Sequence, residues 1–313
     1  MTGSHARRGK PTRYDFSTRS IGFDDRRGHL FVPDRPADAP VVVLAPGAGL
    51  QWRPTLEATA ERLAARGYAV VVFDHRGFET IDGDGLLSPS RQRADLDAAI
   101  EAARDAPEVD GDRLALWGMD LSAGTALAAA AETFHVDAVV ARFPVLTGKA
   151  LLPAWVRPRL AGLARGFVDY PVSLIDRIRG VEESDRGLRV PLFGEPGEVA
   201  AIAAPGAERG MRAVTGRESR TTPARSLVKL SRHDRHDVLG ELTCPTLFVA
   251  GADDELAPPE TVAAASEQVA DASLVRVPTD HYGALDGEGL ERTLNHELAF
   301  LDAELGDRDT KLL

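Results

Sequence analysis

A single cysteine, Cys244, stands in 313 residues, so the chain has no internal disulfide framework. Long apolar runs are also missing. The longest, such as 68–73, fall far short of the roughly 20 residues that a membrane-spanning helix needs. The N-terminus does not show the charged-then-apolar pattern of a signal peptide, and residues 1–13, polar and basic, read as a frayed tail. Basic residues are outnumbered 37 to 48, for a net charge of −11, which argues against a nucleic-acid or anionic-membrane surface. The stretch Pro46-Gly47-Ala48-Gly49 lacks the Lys-Ser/Thr of a nucleotide loop. Asp82-Gly83-Asp84-Gly85 is too short for a calcium loop. Arg232-His233-Asp234-Arg235-His236-Asp237 has metal-ligand residue types, but no second ligand cluster accompanies it, and it reads as a solvated segment. These absences leave a cytoplasmic protein expected to need no metal and no cofactor.

What is present is alternation. The front reads as a strand pair, 18–23 and 29–32, around the turn Asp24-Asp25-Arg26-Arg27-Gly28. Val41-Val42-Val43-Leu44-Ala45 is a continuous apolar run of the kind that suits a strand buried on both faces. A helix over 54–66 follows, with Pro54 near its start and Gly67 as its stop. Next come a strand over 68–73, a helix over 90–104, the turn Asp110-Gly111-Asp112, a strand over 113–117 and an alanine-rich helix to about Glu132. A strand over 136–143 ends this half. From about 144 to 241 the chain is richer in Pro, Gly and Arg, and strand signals are weak. The alternation resumes with a strand over 245–250, a helix over 259–269, a strand over 273–277 and a helix over 289–304. Such alternation implies an α/β fold with a mostly parallel sheet and helices on both faces. The core is expected to comprise 1–143 and 242–313, with 144–241 inserted as a lid.

Asp120 is the most informative residue. It lies where the apolar strand Leu114-Ala115-Leu116-Trp117 runs through Gly118-Met119-Asp120-Leu121-Ser122 into a small-residue helix. Gly118 two before it and Ser122 two after it are small, as a strained turn packed against neighbouring strands requires. Two blander or competing readings stand beside this one. Asp120 is also a favoured helix N-cap, and Ser122, with Gly124 two residues on, is a rival nucleophile one step into the helix. Two later strands end in Gly251-Ala252-Asp253-Asp254-Glu255 and in Thr279-Asp280-His281-Tyr282, which supply an acid and a histidine in that order.

The chain resembles the α/β-hydrolase family across nearly its whole length. The turn Leu116-Trp117-Gly118-Met119-Asp120-Leu121-Ser122-Ala123-Gly124 is similar to the nucleophile elbow of a bacterial, natural-product-type hydrolase group. Phe73-Asp74-His75-Arg76-Gly77-Phe78 and the stretch Gly194-Glu195-Pro196-Gly197-Glu198-Val199-Ala200 look like the same group. The resemblance implies a triad of Asp120, Asp254 and His281, with Asp253 as the other candidate acid. It implies oxyanion donors at the backbone of Leu121 and Ala48. It also gives His75 a structural role. Two features differ from that group. Asp stands where it has Ser, and Pro46 stands where its usual members have the His of a His-Gly pair.

Asp at the elbow resembles epoxide hydrolases and haloalkane dehalogenases of the same fold. A carboxylate is already ionised at neutral pH, displaces a leaving group at an sp³ carbon and leaves an alkyl ester for a histidine-activated water to cleave. Leu121, where dehalogenases carry Trp, points away from halide release. Epoxide hydrolases protonate the epoxide oxygen with lid tyrosines, and the lid has only Tyr170, while Tyr282 adjoins His281. Trp155 is a further lid residue placed to pack on substrate. The reading is therefore an Asp-nucleophile hydrolase, most simply opening an epoxide on a small, apolar or polyketide-like metabolite. A non-hydrolytic cyclase, isomerase or elimination catalyst using Asp120 and His281 is the alternative, and an ester or thioester hydrolase a further one. The partner expected is the small-molecule substrate, with no nucleic acid, no membrane, and a homodimer left open.

Overall fold

The apolar runs of the sequence become the middle of one sheet. The computed structural model describes residues 13–80, 83–132, 135–152, 156–178, 187–215 and 220–306. Strands β1 (Phe16–Phe23), β2 (Arg26–Pro33), β3 (Ala39–Ala45) and β4 (Ala69–Phe73) alternate with helices α1 (Trp52–Thr55) and α2 (Glu57–Arg66). Then come α3 (Pro89–Arg104), β5 (Val109–Met119), α4 (Leu121–Glu132) and β6 (Ala138–Arg142). Residues of β3, β4 and β6 are buried along their whole length, as strands covered by helices on both faces must be.

The inserted segment holds α5 (Val156–Ile178), the short strands β7 (Arg189–Pro191), β8 (Phe193–Gly194) and β9 (Ile202–Ala203), α6 (Ala207–Thr215), β10 (Thr221–Pro223) and α7 (Arg225–Ser231). It builds two small ribbons, β7 with β10 and β8 with β9. The chain then returns to the main sheet through β11 (Thr246–Gly251), α8 (Pro259–Ser266), β12 (Ala272–Val277) and α9 (Gly287–Glu304). The main sheet has the order β1-β2-β4-β3-β5-β6-β11-β12. The β1–β2 and β2–β4 pairs are antiparallel, and every pair from β4 to β12 is parallel. This is the α/β-hydrolase fold. The loops after β3, β5, β6, β11 and β12 all leave from the same, carboxyl edge, where sheets of this kind place their sites.

Two local expectations are corrected. The single helix expected over 54–66 divides between α1 and α2, with Leu56 at φ of −113° as the cap residue between them. The turn Asp110-Gly111-Asp112 lies inside β5 as a bulge. Pro40 pairs with Asp110 and Val41 with Leu114, so three residues of β5 loop out while the strand continues. Among the described residues no helix is long and apolar enough to cross a membrane.

The inserted segment packs against the carboxyl edge, where Arg220 and Arg189 also donate to the carbonyls of Phe78 and Asp84 in the loop after β4. Leu192 presses on Gly49 in the loop after β3, and Gly210 of α6 admits the ring of Tyr282. Within the segment, α5 lies on α7 through Gly162 against Leu227 and Gly166 against Ala224 and Val228. A fully buried ion pair, Arg225 with Asp169 at 3.0 Å, ties the two helices.

Candidate active site

Asp120 occupies the junction between β5 and α4 in a left-handed conformation, with φ of +56°. Asp tolerates that region better than most non-glycine residues, and such strain is kept where a surrounding structure fixes it. Here the fixing is backbone on three sides. The Asp120 N–H donates to the carbonyl of Arg142, and its own carbonyl accepts from the N–H groups of Ala123 and Val145. Gly118 makes the turn sterically possible, because a Cβ there collides with the carbonyl of Ser122 and the Cα of Ala123.

The carboxyl group points away from solvent toward the loop after β3. Its Oδ2 accepts from the N–H of Ala48 at 3.0 Å, and the N–H of Leu121 also bonds to the carboxyl group. A Cβ at Gly47 would sit 3.3 Å from the Asp120 Cβ, so glycine lets this loop approach closely enough for Ala48 to reach the carboxylate. The other oxygen, Oδ1, is buried with no hydrogen-bond partner. Burial pushes the Asp120 carboxyl up to about 6, against the opposing pull of His281 and of the two backbone donors.

His281 and Asp254 arrive from the ends of β12 and β11. His281 Nδ1 lies 2.8 Å from Asp254 Oδ2, while Asp254 Oδ1 accepts from the N–H groups of Leu256 and Ala257 at 2.9 and 2.8 Å. The acid oriented on the histidine is therefore Asp254, and Asp253 is exposed on the neighbouring surface. Burial disfavours the imidazolium, but the charge and hydrogen bond of Asp254, joined by the charges of Asp120 and Asp280, hold His281 above its ordinary value. No direct hydrogen bond joins His281 to Asp120 among the described residues, although each shifts the other electrostatically. A cavity of about 810 Å³ opens against His281, lined in part by Tyr282, Leu256, Leu285, Gly206 and Gly210. Asp120 does not line it.

Three contributors had little sequence signal. Phe143 has φ of +49° at the end of β6 and sets its ring 5.8 Å from that of His281. Tyr282 lies 5.2 Å ring to ring from His281. Burial first, then the charges of Asp120, Asp254 and Asp280, raise its phenol so that it keeps its proton. Beneath the elbow, Arg142 and Glu297 form a buried bidentate pair at 2.8 and 2.6 Å, with the Trp117 indole N–H on the same carboxylate at 3.1 Å. That pair ties α9 to Arg142 of β6, the residue whose own carbonyl holds the Asp120 N–H.

The other expected residues are placed as follows. Ser122 is fully buried and its hydroxyl lies 3.1 Å from His75 Nε2, away from the Asp254–His281 pair. His75 in turn faces Asp95 at 3.5 Å. Burial works against ionised Asp95, but His75, the Arg76 N–H and Arg26 outweigh it and hold the carboxyl at about 2. Tyr170 sits on α5 with its hydroxyl accepting from Arg232 at 3.4 Å, and it does not line the cavity. Trp155 lies outside the described residues. The segment 232–237 is not wholly solvated. His233 is buried because its carbonyl pairs with the Gly148 N–H at 3.0 Å, and burial pushes its imidazole down to about 4. Among the described residues no group of three or more His, Cys, Asp or Glu side chains is arranged to hold a metal.

Comparison with known proteins gives this geometry a context. The sequence profile of the serine aminopeptidase S33 family matches residues 37–279. The quorum-quenching protein AidA of Acinetobacter baumannii (strain MDR-ZJ06) is 29% identical over 282 residues, covering 87% of this chain and 89% of AidA. The thiohydrolase apmlB of Arthrinium phaeospermum is 34% identical over 120 residues, 38% of each chain. Among solved structures, the α/β-hydrolase GrgF of Penicillium sp. sh18 matches with a TM-score of 0.75 at 21% identity, covering 94% of this chain and 100% of GrgF, a likeness of fold.

Proposed function

The chain belongs to the serine aminopeptidase S33 family of α/β-hydrolases, and from that premise we propose that it is a hydrolase whose nucleophile is the carboxylate of Asp120 rather than a serine. The observation that carries this reading is the division of labour between the two oxygens of Asp120. Oδ2 accepts from the N–H of Ala48, the N–H of Leu121 also bonds to the carboxyl group, and Oδ1 is buried and unpartnered. A carboxylate so held has one oxygen directed to attack and one already in the place where an oxyanion needs donors.

The reaction we assign is epoxide opening on a small, largely apolar metabolite. Asp120 Oδ1 attacks an epoxide carbon and the C–O bond breaks. The epoxide oxygen takes the proton of the Tyr282 hydroxyl, which the site keeps protonated. This leaves an alkyl ester on Asp120. His281, oriented by Asp254, then takes a proton from water, and the hydroxide adds to the ester carbon. The negative charge develops on Oδ2 against Ala48 and Leu121. Collapse releases the second alkoxide, which takes the remaining acid proton, and His281 returns its proton to the Tyr282 phenolate. The segment 144–241 serves as the lid over this edge. Relatives named a thiohydrolase and a polyketide transferase support a polyketide-like substrate.

A second reading has its own support. A carboxyl group held near 6 beside a histidine held above its ordinary value is also a matched acid–base pair, suited to a cyclase, isomerase or elimination catalyst without a covalent step. One experiment separates the two. In a single turnover in ¹⁸O water, the peptide containing Asp120 is expected to gain label, because the ester is cleaved at its acyl carbon. Complete turnover with an unlabelled Asp120 rules out the covalent route. With His281→Gln, an epoxide substrate is expected to leave a stable mass adduct on the same peptide.

A further inference from the structure

Helix α5 turns a continuous apolar stripe to solvent. Leu160 is 60% exposed, Phe167 57%, Val168 70% and Ile175 46%, and Ala164 and Pro171 are exposed between them. The spacing i, i+4, i+7, i+8, i+11, i+15 is that of one helix face. The opposite face is already used, because Gly162, Gly166 and Asp169 pack on α7. A buried inner face and an apolar outer face make α5 a helix that is apolar where it has no partner among the described residues.

The order of residues along the stripe says what fits it. Leu160 and Ile175, Ala164 and Pro171, and Phe167 and Val168 are each centred on the peptide bond between 167 and 168. An identical helix laid antiparallel across that point sets large aliphatic against large aliphatic at both ends, small against compact between them, and Phe against Val at the middle. Self-complementarity about a two-fold axis is the requirement of an isologous contact. The geometry points to a second copy of this chain as the occupant, with the two α5 helices packed antiparallel across a two-fold axis beside Phe167 and Val168.

The size of the stripe sets the strength. From 160 to 175 it runs about 22 Å. Exposed patches of this kind cover roughly 300–600 Å², below the ~800 Å² per partner of a standard stable interface. The dimer is therefore one that dissociates on dilution. Because α5 is tied to α7 by the Arg225–Asp169 pair, dimerisation stiffens the inserted segment rather than the core sheet.

Sedimentation equilibrium of the full chain from nanomolar to high micromolar concentration is expected to show a monomer–dimer equilibrium. Phe167→Glu, which places like charges beside the axis, is expected to give a monomer at every concentration. Leu274→Glu, an exposed apolar position on β12, is expected to leave the equilibrium unchanged. Register is read by cross-linking, because the natural Cys244 is buried. A mixture of Leu160→Cys and Ile175→Cys chains is expected to form covalent heterodimers under oxidation, with far fewer from either chain alone. That test stands even if Phe167→Glu lowers expression. A monomer at all concentrations, a dimer that survives Phe167→Glu, or cross-links between like positions each overturn the proposal. So does monomeric protein that floats with phosphatidylglycerol vesicles and loses that binding in Phe167→Glu, which assigns the stripe to a lipid surface.

Discussion

Replacing Asp120 by Asn is expected to stabilise the protein, and to do so only as pH rises. Burial lifts the carboxyl from an ordinary 3.8 to about 6. A rise of that size means that the ionised group costs the native state about 3 kcal/mol. The sign follows from proton counts. Between about pH 4 and 6 the unfolded chain has lost the Asp120 proton and the native protein still holds it. Stability contributed by this group is therefore complete below about 4, falls as pH rises through 6, and is level above that. Asn carries no such dependence. It leaves an amide N–H₂ where Oδ1 lacked a partner, an offset of roughly 1–3 kcal/mol that does not change with pH. The attraction between Asp120 and His281 is already contained in the value of about 6. Urea unfolding of both proteins from pH 4 to 8 isolates the effect, since every other carboxylate cancels in the difference. The Asn variant is expected to gain about 2–3 kcal/mol relative to the parent over that range. A difference that is flat with pH, or that grows toward acid, refutes the claim that Asp120 is held ionised at a cost in stability.

Three further outcomes follow from the same contacts. Glu297→Ala leaves Arg142 charged and buried and orphans the Trp117 indole, so denaturant unfolding should show a loss of about 3–5 kcal/mol, and the elbow above it should lose activity as well. Gly118→Ala forces a methyl group against the Ser122 carbonyl and should abolish turnover while leaving the far-UV circular dichroism spectrum largely intact. Tyr282→Phe removes the assigned proton donor and should slow formation of the alkyl-enzyme about 10²-fold or more in rapid-quench experiments, with less effect on ester hydrolysis.

The sheet was legible because its centre is written in uninterrupted Val, Leu and Ala runs. β3, β4 and β6 are buried end to end and fall where those runs do. Boundaries were less legible where geometry overrode composition. Asp110-Gly111-Asp112 has turn residues, yet the neighbouring β3 carries the strand past it as a bulge, and only pairing can show that. The same holds for Leu56, which is apolar and helical in character but caps a break. His233 lies in a charged run, and only its pairing with Gly148 buries it.

The positions of Asp120, Asp254 and His281 were legible from order and context, since each follows a particular strand of the sheet, and the structure brings Asp254 onto His281. Phe143 was not, because a Phe with positive φ has no local signature, and Tyr282 was legible only as the neighbour of His281. The sequence by itself determined the alternation of elements, the elbow at Asp120 and the carboxylate that stands there, because these depend on residue type and short-range spacing. Only the tertiary structure decided which oxygen of Asp120 is held by Ala48, which of Asp253 and Asp254 reaches His281, and which face of α5 is left bare. Those are relations between segments brought together from distant parts of the chain, set by strand order and side-chain packing.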